Sequence, residues 1–216
     1  MAEIASNAIA STATGHYGAA GTGVSVRERT IAAAWNVQGD PSRALFTDAV
    51  REAFGLALPL APNTLAVSGP LTAFWLGPTS WLLVAGGASR LSEFAAKRDL
   101  LNARGGALFD QTAGRVAWTI SGPHATAVLA SGCPLDFHPR AFPAGTCAQS
   151  VLWHVNALIA RPDVSPTFTV MVARSLARDA WHAFSESAAQ YGYEVLSPGL
   201  SGGRGGHDLP GRPRSG

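Results

Sequence analysis

The chain has 216 residues, a formal net charge of +2, 47% hydrophobic and 14% charged side chains. This balance supplies enough apolar side chain for a sizeable core and excludes a strongly electrostatic partner such as nucleic acid or an acidic lipid surface. The charged fraction is low against the ordinary value of about a quarter, which fits either a surface partly covered by a partner chain or an Ala- and Gly-rich background composition.

Two cysteines make no disulfide framework. No apolar run reaches the ~20 residues of a membrane span. The first basic side chain is Arg27, so a secretory leader with a basic start is not expected. The expectation is a cytoplasmic protein with reduced thiols.

Residues 1–25 are Ala, Gly, Ser and Thr with little periodicity and are expected to form a flexible leader. Thr30–Val37 is expected as a strand. Asp40 and Pro41 then open a helix over Leu45, Phe46, Ala49, Val50 and Ala53, closed by Gly55. Strands follow at Thr64–Val67, a weak one, and at Thr72–Leu76. A Gly77-Pro78-Thr79-Ser80 turn leads into the returning strand Trp81–Ala85. Ser89 is expected to cap a second helix with Leu91, Phe94, Ala95 and Leu101 inward, closed by Gly105, before a short strand at Ala107–Asp110. Setting the weak strand aside, the order is β-α-β-β-α-β, a split βαβ or ferredoxin-like unit.

The pattern then repeats. Arg115–Ile120 alternates Val116, Trp118 and Ile120 with smaller or polar residues, as a half-buried strand does. Gly122-Pro123 opens a helix through Ala127, Val128 and Ala130. Val151–Ala160 and Thr167–Ala173 are expected as a strand pair around Arg161-Pro162-Asp163. Ser175 is expected to cap a long helix with Leu176, Ala180, Trp181, Phe184, Ala188 and Tyr191 on one face, stopped by Gly192, before a last strand at Tyr193–Leu196. Val37–Leu45 mirrors Ile120–Val128, each a strand, a glycine and a proline-led helix, which suits either an ancient duplication or a common turn reached twice. The fold class is therefore α+β, two tandem ferredoxin-like units at 26–110 and 111–196. Residues 197–216 hold seven Gly, three Pro and three Arg and are expected to be a disordered tail. Its Gly-Gly-Arg-Gly-Gly run at 202–206 is a single copy of an RNA-binding type of segment, and a solvated tail is the favoured reading.

Candidate chemistry is sparse. Cys133, Asp136, His138 and Cys147 lie close in sequence, but their spacing matches no common zinc motif. A thiol activated by His138 would also need an orienting third group. The glycines of Gly18–Gly23 follow no expected strand, so they do not make a dinucleotide loop. Trp35, Trp75, Trp118 and Phe184 suit core packing.

The segment Cys133–Gln149 is different: three prolines, two cysteines and no periodicity lie between patterned elements. With Phe74–Val84 and Asp110–Pro123, it resembles the gamma subunit family of heterotetrameric sarcosine oxidase, over roughly Thr72 to Leu196. Ala113 departs from the histidine expected there in many relatives. The resemblance implies a fold akin to the folate-binding aminomethyltransferases. It implies an assembly with alpha, beta and delta subunits that oxidatively demethylates sarcosine to glycine, with formaldehyde or methylenetetrahydrofolate and hydrogen peroxide as products. FAD, FMN, NAD and tetrahydrofolate would be held by alpha and beta and zinc by delta, leaving no catalytic, cofactor or metal residue in this chain. Alternatives are the equivalent subunit of a complex acting on another N-methyl amino acid, or a stand-alone folate-binding one-carbon protein. Within the Cys133–Gln149 loop, Phe137 and Phe142 are expected as apolar anchors for a partner, the alternative being a loop folded back on its own domain. Arg140 is expected as an ionic contact, and His138 lies between them.

Overall fold

The computed structural model describes residues 12–86 and 93–199. In chain order these form β1 (Gly15–Tyr17), β2 (Val24–Arg29), β3 (Ile31–Gly39), α1 (Ala44–Phe54), β4 (Leu65–Ser68), β5 (Leu71–Gly77), β6 (Ser80–Gly86), α2 (Phe94–Ala103) and β7 (Gly106–Asp110). The second half follows as β8 (Arg115–Ser121), α3 (Ala125–Ala130), β9 (Thr146–Leu152), β10 (Val155–Arg161), β11 (Thr167–Ala173), α4 (Ala177–Ala189) and β12 (Tyr193–Gly199).

The strands make two sheets. One has the order β4-β5-β6-β3-β7; without its edge strand β4 it is a ferredoxin-like sheet. The other has the order β1-β12-β2-β8-β11-β10-β9, the same core with three additions, of which β2 is wedged between β12 and β8. That wedge pairs parallel with β12 and antiparallel with β8.

Four layers result. Helices α1 and α2 cover the five-stranded sheet through Phe46, Val50, Leu101, Trp81 and Leu83. Helices α3 and α4 cover the seven-stranded sheet through Val128, Leu129, Trp118, Phe168 and Phe184. Between the sheets lies a smaller apolar layer of Ala34, Phe74, Leu82, Ala117, Cys147, Leu158 and Met171. The alternation along each strand decides this. Ala33, Trp35 and Val37 of β3 point to the helices while Ala34 points to the other sheet. Central strands are therefore apolar on both faces, and small residues on the inner face let the sheets approach.

Several sequence expectations are corrected. The described part of the leader, 12–25, is not a free strand end: it forms β1 and the start of β2, and Val24 and Val26 are fully buried. Strand β12 runs to Gly199, so the expected tail loses its first three residues to the sheet. The rest of it, with the Arg- and Gly-rich run, lies outside the described residues, as do Ser89 and Leu91 at the expected start of α2. The weak strand near Thr64 is real, as β4. Asp40 does not cap α1; its carboxylate accepts from the Ser42 backbone N and Oγ at 2.9 and 2.7 Å, and the helix starts at Ala44. Ala95 is exposed rather than inward, and Leu176 is on a 3-10 turn ahead of α4. Gly55 does close α1, in the left-handed conformation with φ 62°. The expected strand 151–160 is the last two residues of β9, a tight turn at Trp153-His154 and most of β10.

Candidate functional site

The Cys133–Gln149 segment is shorter as a loop than its sequence suggests, because Thr146–Gln149 already belongs to β9. The loop proper is built from nested turns. The Asp136 carboxylate accepts from the His138 backbone N at 2.8 Å, and His138 Nδ1 accepts from the Arg140 N at 3.2 Å. The His138 carbonyl in turn accepts from Ala141 N and Phe142 N. Prolines at 134, 139 and 143 suit a path that offers few donors.

Of the four residues expected to meet a partner, the structure separates two from two. Phe137 and Phe142 are 2% and 4% exposed. Their rings meet edge to face at 5.6 Å, and Phe137 meets Phe168 of β11 at 5.5 Å. The expectation that these rings are anchors for another chain is thus corrected: they fix the loop to its own core. His138 and Arg140 stand exposed on the outside of the same turns.

Arg161 holds the loop from beneath. It is 6% exposed, and its Nη1 and Nη2 donate to the carbonyls of Phe142 and Val164 at 3.2 and 3.0 Å. Its guanidinium also lies 6.0 Å from the centre of the Phe168 ring. In sequence Arg161 stands only at the start of an Arg-Pro-Asp turn, and an arginine closing an apolar strand is the signal of its buried role.

The four possible zinc ligands do not converge. Cys133 faces the helix-side core, with Sγ 3.5 Å from Ser150 Oγ. Cys147 faces the layer between the sheets and donates to the Thr64 carbonyl at 3.2 Å. Asp136 and His138 are exposed, and their turn is tied by backbone bonds. Burial pushes the Cys147 thiol up to about 11, against the reactive thiolate that nucleophilic chemistry needs.

Beside the loop, an open groove of about 640 Å³ runs between the β9–β10 turn and α4, lined among others by Cys133, Pro134, Trp153, His154, His182 and Glu186. Trp153 adopts φ 57°, a left-handed conformation rare for a bulky side chain. Two contacts hold it: its Nε1 donates to Ser187 Oγ at 2.9 Å, and its indole lies where a side chain at Gly132 would stand. His182 Nε2 lies 3.3 Å from Glu186 Oε1 one turn along α4. The groove offers polar recognition at a fixed aromatic wall.

Known proteins share this two-sheet fold and match much of its sequence. The heterotetrameric sarcosine oxidase from Corynebacterium sp. U-96, in complex with pyrrole 2-carboxylate, contains a chain that superposes with a TM-score of 0.72 at 24% identity, over 81% of this chain and 88% of that one. The glycine cleavage system aminomethyltransferase T from Bartonella henselae shares the fold with a TM-score of 0.54 at 15% identity; 82% of this chain matches 48% of that one. In sequence, the sarcosine oxidase subunit gamma of Corynebacterium sp. (strain P-1) is 36% identical over 144 residues, 66% of this chain and 68% of that protein. The corresponding protein of Arthrobacter sp. is 34% identical over 140 residues, 64% of this chain and 67% of that protein. The family description "Sarcosine oxidase, gamma subunit family" matches residues 38–190, which take in β4–β7 of one sheet, β8–β11 of the other and the loop. The chain belongs to the sarcosine oxidase gamma subunit family.

Proposed function

We propose that this chain is a non-catalytic gamma subunit of a heterotetrameric sarcosine oxidase. The observation that carries the proposal is the family match across both sheets, with 36% identity to a relative named as that subunit. The assembly would join it to alpha, beta and delta chains and oxidise the N-methyl group of sarcosine. Glycine, formaldehyde or methylenetetrahydrofolate, and hydrogen peroxide would be the products. FAD, FMN, NAD, tetrahydrofolate and zinc would be held by the partner chains. This chain's contribution would be shape: a rigid four-layer body presenting a loop whose apolar side is already buried. His138 and Arg140, on the outer side of that loop, are the proposed contacts with the flavoprotein subunits.

The experiment is co-expression of this chain with candidate alpha, beta and delta genes from its source, followed by purification through a tag on this chain. The proposal expects the other chains and their flavin colour to co-purify, with sarcosine-dependent oxygen uptake. The isolated chain is expected to be colourless and to release no peroxide with sarcosine. A flavin spectrum or peroxide release from the isolated chain would overturn the non-catalytic reading.

A further inference from the structure

The two sheets leave a gap at one end of the layer between them. There a crevice of about 360 Å³ is bounded by Leu76 of β5, Arg115 of β8, Gln149 and Val151 of β9, and Asn156 and Leu158 of β10. Its floor is apolar, since Leu158 is 3% exposed, while Arg115, Gln149 and Asn156 supply polar groups from three different strands. In register, Arg115 stands opposite Ala173 of β11, whose small side chain leaves the space beside the guanidinium open.

Arg115 is set in place but not neutralised. Its Nε and Nη2 both donate to Gln111 Oε1, at 3.3 and 2.9 Å, which fixes the guanidinium plane on an uncharged partner. A second cation sits on the same turn: Arg174 donates through Nε to the Ala113 carbonyl and through Nη2 to the Arg115 carbonyl, at 2.6 and 3.3 Å. None of the four ion pairs among the described residues includes either arginine. The Asp110 carboxylate is engaged by Thr112, whose backbone N and Oγ1 donate to it at 2.8 and 2.6 Å. Desolvation lowers the pKa of Arg115, the direction expected of a cation drawn partly out of water without a countercharge. The Gln149 amide is fixed by donating to the Leu76 carbonyl at 2.8 Å, which leaves Asn156 as the exposed amide at the rim.

We propose that this crevice binds a carboxylate, with the guanidinium of Arg115 as its ionic anchor and the Asn156 amide as its second donor. A planar, pre-oriented guanidinium suits a carboxylate better than a point cation would. The carboxylate belongs either to a small free acid or to an acidic side chain of a partner subunit; the second source rests on the proposed function.

The test titrates the full nitrogen-labelled chain with acetate, and with acetamide as the uncharged counterpart, while following the Arg115 Nε–H and the Asn156 side-chain amide by NMR. Saturable shifts with acetate, absent with acetamide and weakened roughly tenfold in Arg115→Gln, establish the site with a free acid as ligand. Should Arg115→Gln fail to fold, Asn156→Asp at its exposed position places a competing carboxylate at the rim and is expected to abolish the acetate response. For the second source, wild type and Arg115→Gln are compared in co-purification with the partner subunits. Partner loss of roughly tenfold in the variant, partly restored by Arg115→Lys, establishes a partner side chain as ligand. If wild type recruits no partners, the proposed function fails and the acetate titration alone decides the site. Unsaturable acetate shifts, together with unchanged assembly of the Arg115→Gln chain or no assembly at all, overturn the proposal.

Discussion

At the scale of single residues, Arg161 carries an unusual share of local order. Its two donated bonds satisfy the carbonyls of Phe142 and Val164, one on each side of the β10 end. Replacing it with methionine leaves the buried Phe142 carbonyl without this donor, at a cost of about 1–3 kcal/mol, whereas the Val164 carbonyl belongs to an exposed residue and can turn to water. Arg161→Met should therefore lower the unfolding free energy by about 1–3 kcal/mol in denaturant titration; a loss under about 0.5 kcal/mol would contradict this role. The aromatic pair above it and the polar pair outside it should divide in their effects. Alanine at Phe137 and Phe142 should destabilise the isolated chain by roughly 3–5 kcal/mol each. His138→Ala with Arg140→Ala should leave its melting temperature unchanged and weaken assembly. If the polar double variant assembles as wild type does, the interface lies on another face.

Cys147 gives a pH-dependent prediction. Burial raises its thiol from the ordinary 9.0 to about 11. Below pH 9 both folded and unfolded forms keep the proton, so stability is unaffected. Between 9 and about 11 the unfolded chain loses the proton first, and stability falls as pH rises. Iodoacetamide labelling at pH 8 should leave Cys147 unmodified in the native chain and modify it in denaturant, as read by mass spectrometry. Rapid native labelling would contradict the burial.

At the scale of elements, β2 is the strand that ties the chain's beginning to its end. It lies between β12 and β8 and buries Val24 and Val26 in the helix-side core. Tyr17 of β1 stacks on Tyr193 of β12 at 5.4 Å, and Trp181 of α4 donates to Thr12 Oγ1 at 2.9 Å. A chain beginning at Ile31 should therefore lose the cooperative unfolding of the seven-stranded sheet, seen as a flattened thermal transition. A sharp transition at the wild-type temperature would show that the sheet closes without β2. The order of the helices and the central strands was legible in the sequence because glycines such as Gly55 and Gly192 mark real left-handed stops, both with φ above 60°. Strand β2 was not legible: Val24-Ser-Val-Arg alternates for only a few residues, and its partners are remote in sequence. The β9–β10 turn was missed because Trp153-His154 contains neither glycine nor proline, so an apolar run seemed to continue through it.

At the scale of the molecule, two ferredoxin-like sheets face each other across an apolar layer of mixed small and large side chains, with a helix pair outside each. The unevenness of that layer is what creates the Arg115 crevice, and no periodicity in the sequence announces a gap between sheets. The loop at Cys133 was legible as special, but its orientation was not. Proline content and aromatic residues identify an irregular segment without telling which rings face inward; that depended on Phe168 and Arg161, which lie beyond the loop in the chain. The proposed role is that of a structural chain acting inside a larger oxidase. Its most direct test is mass analysis of the complex recovered through a tag on this chain after co-expression with the alpha, beta and delta genes. The account predicts one copy of this chain per flavin-bearing assembly, with sarcosine-dependent oxygen uptake lost when the chain is omitted. Recovery of the tagged chain alone, beside a partner assembly that is fully active without it, would contradict the account.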